Sequence, residues 1–234
     1  MKNISVKSGQ WAAITALSTF IVWIVCFTAI AIVNQPFSWT NLSDYVTYAS
    51  RHNQSFKFAA QLGMLLFAPA FVILAHSIEY QAEENRKFPG KIAVSFAVMF
   101  AVCVSIHYFV QISSVRLSIA SGQTSGLEQF IQANPFSGIA GINLVGWTLF
   151  FSLACLFLAP VFPGTGLNRV IRYALVVNAA FCLLGGFGYI MNYVALVGIC
   201  LNLGMGGAMG TAIIGLLMYF IRLKGDGKQR TEDK

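Results

Sequence analysis

The sequence predicts an all-α integral membrane protein, a bundle of six transmembrane helices with both termini in the cytoplasm. Three observations lead there. Of the 234 residues, 57% are hydrophobic and only 10% charged, whereas a soluble domain carries about 25% charged residues. Apolar stretches of about 20 residues, the length that crosses a hydrocarbon core of roughly 30 Å, recur six times. Lysine and arginine, finally, are divided very unequally between the two sides of those stretches.

The first span covers about 11–33, after a basic start with Lys2 and Lys7. "AIA" at 29–31 resembles a signal-cleavage site, but the apolar run exceeds the usual 7 to 15 residues of a signal core, so the span is expected to stay uncleaved. The second, about 58–79, contains Pro69. Proline has no N–H for the preceding turn, which predicts a kink and a free carbonyl at Leu65. The third and fourth cover about 92–116 and 138–160. The fifth and sixth, about 170–191 and 194–221, share a stretch from Arg172 to Arg222 that holds no formal charge between its ends. It is too long for one crossing and suits two with a tight turn at "GYIMNYV" (188–194). A turn at "NLGMGG" (202–207) would leave a last helix of about 15 residues, too short to span. Residues 1–222 thus form one membrane domain, and 223–234 are expected to be a disordered basic tail.

Charge sets the orientation. Twelve of the 15 basic residues lie at the N-terminus, in the 80–91 and 161–172 loops and in the tail, and the opposite side has only Arg51, Lys57 and Arg116. By the positive-inside rule both ends face the cytoplasm, which suits a prokaryotic-type cytoplasmic membrane. The net charge of +7 therefore marks topology near anionic lipid rather than a nucleic-acid partner. Membrane lipids are the expected surroundings. All five cysteines fall within spans, with no Cys-x-x-Cys or zinc spacing, so they read as small buried apolar residues and not as a disulfide frame.

The two long connections, 34–57 and 117–137, fall outside the membrane. Each offers a short amphipathic segment. In "TNLSDYVTYASRH" the apolar side is Leu42, Tyr45, Val46 and Ala49. In "TSGLEQFIQANP", Ser125 and Glu128 have capping-box spacing, with Leu127, Phe130 and Ile131 apolar. Such segments lie flat at an interface, or act as lids over an outward-facing pocket.

Polar residues inside the spans pose the functional question. Cys103, His107, Gln111 and Ser114 share one face of the third span at about 100° per residue. Counted at 1.5 Å per residue from the outer boundary, Gln111 is about 9 Å deep and His107 about 15 Å deep. Gln61, Asn143, Tyr189, Asn192 and Asn202 fall at comparable outer depth, and Trp147 is too deep for an interfacial belt. Two readings compete: amides and a neutral histidine satisfying one another between helices, or a polar-lined cavity. The expected ligand-binding set is His107, Gln111, Gln61, Asn143, Trp147, Asn202 and Tyr189. Gly198, Asn202, Gly206 and Gly210 repeat every four residues, the small-residue pattern of close helix packing, and predict a contact to another helix through Gly206 and Gly210, in this chain or in a second copy or partner.

Missing groups narrow the chemistry. No Asp or Glu lies deep in a span, no lysine is buried, and His76 and His107 differ in depth by roughly 10 Å, too much for one bis-histidine haem. No metal-ligand spacing or phosphate loop occurs, and neither a metal nor a cofactor is expected. The sequence thus predicts a polytopic protein that binds or passes a small amphipathic molecule through an outer-half cavity. The alternatives are an intramembrane enzyme on a lipid-like substrate, with His107 as acid-base, and a non-catalytic partner subunit whose polar residues are structural.

Overall fold

In a computed structural model, which describes residues 2–34 and 37–232, the chain is helical throughout, with no strand among the described residues. Six helices are long and apolar enough to cross a membrane. They are α1 (Lys2–Val33), α3 (Ser55–Gln81), α4 (Glu84–Ala120), α5 (Gly138–Val161), α6 (Leu167–Ile190) and α7 (Ala195–Gly225). Between α1 and α3 lies the short α2 (Leu42–Arg51), capped by the Asn41 side chain, which accepts from Asp44 N. The long helices form a closed ring in chain order, α7 returning to α1. The two termini share one end of the ring, where Lys224 donates to Gln10 at 3.1 Å. The opposite end, the cap end, carries α2, the 121–137 connection and the α6–α7 turn.

That turn closes at 191–193. Asn192 takes a left-handed conformation (φ 57), Tyr193 N donates to Gly188 O at 2.7 Å, and Asn192 N donates to Tyr189 O at 3.0 Å. These two bonds satisfy the last carbonyls of α6 in the Schellman pattern, and asparagine is among the few residues that tolerate its left-handed position.

Two apolar clusters hold the molecule. The large one fills the middle of the ring with Phe67, Phe71, Phe100, Trp147 and Phe151, each at most 5% exposed. Their rings approach to 4.7 Å between centroids for Phe100–Phe151 and 4.8 Å for Phe71–Phe151. Such aromatic pairs contribute about 0.5–1.5 kcal/mol beyond their buried area. The smaller cluster joins Tyr45 of α2, Val115 of α4, and Leu127 and Ile131 of the 121–137 connection, with Phe37 and Trp39 packed against it. The two long connections are thus one cap, not separate flaps.

Several corrections to the sequence reading follow. The segment after Ser125 is a single 3-10 turn, Leu127–Phe130; its N-cap is Gly126 in a left-handed conformation and no side chain caps it, so the Ser125–Glu128 box does not form. Phe130 is exposed while Leu127 and Ile131 are buried; the chain leaves the turn at Ile131, which is extended, so the apolar side expected of a continuing helix is not formed. At Pro69, where the sequence predicts a kink, α3 stays helical on both sides, and the proline lines a groove shared with Trp11, Ala12 and Thr15 of α1. The last helix continues beyond its apolar span, past Gly225 to Glu232, where the sequence reading has a disordered tail from 223; with no proline there, further turns can follow on a helix already formed. Residues 233 and 234 of that tail lie outside the described residues.

The glycine pattern of α7 is also corrected. Residues 201–208 form a π-helical stretch, whose i→i+5 bonding turns the following residues away from the four-residue spacing expected of an α-helix. Within this stretch the glycine that meets α6 is therefore Gly204: an added Cβ would lie 2.7 Å from Phe181 Cβ and 3.7 Å from the Asn178 carbonyl. At Gly206 a Cβ would meet nothing within 4 Å, and at Gly210 it would lie 3.1 Å from Phe20 of α1. Glycine contacts of the same kind recur around the ring, with Gly63 against the Thr19 carbonyl, Gly146 against Cys103, Gly186 against Thr148 and Gly215 against Ile171. Such close approaches supply the packing that holds helices together where lipid offers no hydrophobic drive.

A paired substitution on α7 tests this register. Gly204→Ala is expected to lower stability by about 1–3 kcal/mol through overpacking. Gly206→Ala should be neutral or slightly stabilising, because alanine is the better helix former. Thermal melting of the two variants in detergent reads the difference, and equal melting temperatures would contradict the register.

Candidate functional site

The polar residues that the sequence groups into one pocket are separated by a length of irregular chain. Residues 130–137 lie against the cap ends of α4 and α5, and irregular backbone at such a place must find partners within the protein. Gln111, 3% exposed, supplies two. Its Nε2 donates to Phe130 O at 2.6 Å, and its Oε1 accepts from Gln132 N at 3.0 Å, so one amide clamps both sides of Ile131. Gln61 of α3 donates from Nε2 to Gln132 Oε1 at 2.8 Å. Farther along, Ser137 donates to Ile131 O at 3.0 Å and caps α5 by accepting from Ala140 N, and Asn134 donates to Glu128 O at 2.9 Å. Gln111 also opens a π-helical stretch of α4, Gln111–Val115.

On one side of this chain lies a small pocket of about 110 Å³ lined by Gln61, Gln111, Lys57, Arg116, Tyr45 and Phe58. Lys57 donates to the Tyr45 hydroxyl, and the Arg116 guanidinium stands 5.9 Å from the Phe58 ring centre. On the other side is a cleft of about 600 Å³ between the cap, α5 and the α6–α7 turn. Trp39, Phe136, Tyr189 and Tyr193 give it aromatic walls, and His107, Gln132, Asn143 and Asn192 give it polar groups.

Of the seven expected residues, His107, Asn143 and Tyr189 share this cleft. Gln61 and Gln111 belong to the smaller pocket. Trp147 does not reach the cleft; it sits in the central aromatic cluster, within another π-helical stretch, Gly146–Phe151. Asn202 is exposed on the outside of the ring and donates to Gly198 O on its own helix at 2.8 Å. The π-helical stretch that displaces Gly206 begins beside Asn202 and accounts for its position as well.

His107 is the most enclosed polar residue of the cleft, with 0% exposure. Its Nδ1 is 3.1 Å from the Ile139 carbonyl of α5. A carbonyl only accepts, so Nδ1 carries the ring's hydrogen and Nε2 is left as a bare acceptor. Nε2 has no hydrogen-bond partner, and neither has Asn143 Oδ1; both atoms are buried. Buried polar atoms are satisfied in the great majority of cases, so two unpartnered acceptors on residues that line one cleft stand out. Gln132 lies beside the imidazole and is held from behind by Gln61. Tyr189 donates its hydroxyl to the Pro135 carbonyl and ties α6 to the cap.

The cleft residues supplied by the connections, Ser38, Trp39, Gln132, Ala133, Pro135 and Phe136, were not read from the sequence. The available signal was the density of Asn, Gln and Pro in "FIQANP", which marks chain that must bond its own backbone. Groups of three or more His, Cys, Asp or Glu able to hold a metal do not occur among the described residues. No family model, curated protein or solved structure matches the chain.

Gln111→Leu removes both partners of the 130–132 backbone at once. Each buried group left unpaired costs about 1–3 kcal/mol, so the cap should loosen while the ring stays folded. Hydrogen exchange at the Gln132 amide is expected to quicken strongly, with little change in the central parts of α3 and α4. Unchanged exchange at Gln132 would contradict the clamp.

Proposed function

We propose that this is a multi-pass membrane protein whose cleft binds a small amphipathic molecule. The unpartnered, buried His107 Nε2 and Asn143 Oδ1, on residues that line an aromatic-walled cleft, carry this reading. Apolar walls with a few convergent polar groups are the usual make-up of a small-molecule site. Binding is favoured over passage because Phe67, Phe71, Phe100 and Phe151, each at most 1% exposed, fill the ring beneath the cleft. An enzymatic role for His107 is less favoured, since its one donated hydrogen bond goes to a backbone carbonyl and its free nitrogen meets no hydroxyl, thiol or carboxylate. The reading as a partner subunit has lost one of its two contact points, Gly210, to Phe20 of the same chain.

Mass spectrometry of small molecules that co-purify with the protein tests the reading. Ala140 lines the cleft, and Ala140→Phe should fill part of it. An amphipathic compound retained by the wild type and reduced at least tenfold in Ala140→Phe, with the melting temperature little changed, is the expected result. Identical extracts would argue against a ligand site.

The proposal includes an orientation, with both termini cytoplasmic and the cleft opening to the outside, on the basic asymmetry of the sequence. Ser125 and Gly225 are exposed at opposite ends of the ring. With cysteine placed at each in turn, a membrane-impermeant maleimide applied to intact cells should label position 125 and spare 225. Labelling at 225 alone would invert the topology.

A further inference from the structure

Resting on the ligand-binding reading above, we infer the chemical class of the molecule: its polar head is an uncharged hydroxyl that donates to His107 Nε2, carried on an apolar, ring-sized body. Three observations converge. The hydrogen bond from His107 to the Ile139 carbonyl fixes the tautomer, so the nitrogen left at the cleft floor accepts and cannot donate. The second orphan, Asn143 Oδ1, also accepts. A hydroxyl hydrogen suits either acceptor, the imidazole nitrogen or the Asn143 oxygen, one at a time, and an ether has none to give.

Charge narrows the class further. None of the fifteen residues bordering the cleft is Lys, Arg, Asp or Glu. A carboxylate or phosphate head that reached the enclosed His107 nitrogen would lose its water and find no cation there, and an ammonium head would find no acid; each is costly. A neutral hydroxyl loses far less. The body of the ligand is read from the walls: Trp39, Phe136, Tyr189 and Tyr193 offer ring faces, which match a flat or aromatic body by offset stacking or edge contact. His107 is fully enclosed, so the head reaches its nitrogen by displacing the neighbouring Gln132 side chain, which is only half-buried. The class is therefore a phenol-like or alcohol-headed amphipath, recognised by an acceptor at the base of an aromatic slot.

A matched pair of probes isolates the hydroxyl. 4-Octylphenol and its methyl ether, 4-octylanisole, have nearly the same apolar body, and only the phenol donates. Binding to the full-length protein in detergent, counted by native mass spectrometry, should favour the phenol about tenfold, the net value of one hydrogen bond. His107→Leu should abolish that preference while leaving binding of the ether unchanged. Asn143→Leu, the second variant should His107→Leu fail to fold, should reduce the preference with the ether again unaffected. Equal binding of phenol and ether would overturn the inference yet leave the cleft a ligand site. So would a preference that survives both variants, or stronger binding of 4-octylbenzoate than of the phenol. If neither probe binds, and Ala140→Phe leaves the co-purifying molecules unchanged, the ligand-binding reading falls and the inference with it.

Discussion

A chain that leaves its helices at the end of an apolar bundle must still pair every backbone N–H and C=O, and Gln111 is where this molecule meets that demand. One side-chain amide satisfies a carbonyl and an N–H two residues apart, which is what a neighbouring strand would do. With residues 130–132 held, the rest of the cap follows. Ile131 is buried against Tyr45 and Val115, Ser137 starts α5, and the Ile139 carbonyl comes within reach of His107. The cleft has its wall of Ala133, Pro135 and Phe136 only because the chain before it is anchored.

Beneath the cap the ring relies on a different economy of contacts. Glycines let neighbouring helices approach until a side chain from one fills the gap on the other, while phenylalanines close the centre where helices are farther apart. Small residues at the seams and large ones in the middle are two solutions to one requirement, dense packing without water to drive it. The arrangement leaves His107 and Asn143 at the boundary between the two regimes, below the cap and above the aromatic rings, where a polar atom can remain unpaired beside space.

The architecture was legible because its signals are long: runs of apolar residues define six helices whatever their local detail. The site was legible in part. His107, Asn143 and Tyr189 reach a common cleft because all three lie where the helices are regular or the anchoring is local. Trp147, Asn202 and Gly206 were misplaced by arithmetic at 100° per residue, which fails within a π-helical stretch, and nothing in "GWTLFF" or "LNLGMGG" announces the wider turn. Gln61 and Gln111 were read as interior residues, and both are buried. What they face is irregular chain, whose course depends on contacts between segments far apart in sequence, Gln61 and Gln132 among them. A periodic pattern cannot carry that information.

The three π-helical stretches, at Gln111–Val115, Gly146–Phe151 and Leu201–Ala208, have a consequence for how the gene for such a protein can change length. A π turn holds more residues over its rise than the α-helix on either side. Losing one residue there would restore ordinary helix and leave the flanking turns near their present height and facing. A deletion in a straight stretch has no such slack to draw on and must shorten the crossing. Among proteins descended from the same ancestor, single-residue gaps are thus tolerable at three places within the spans themselves.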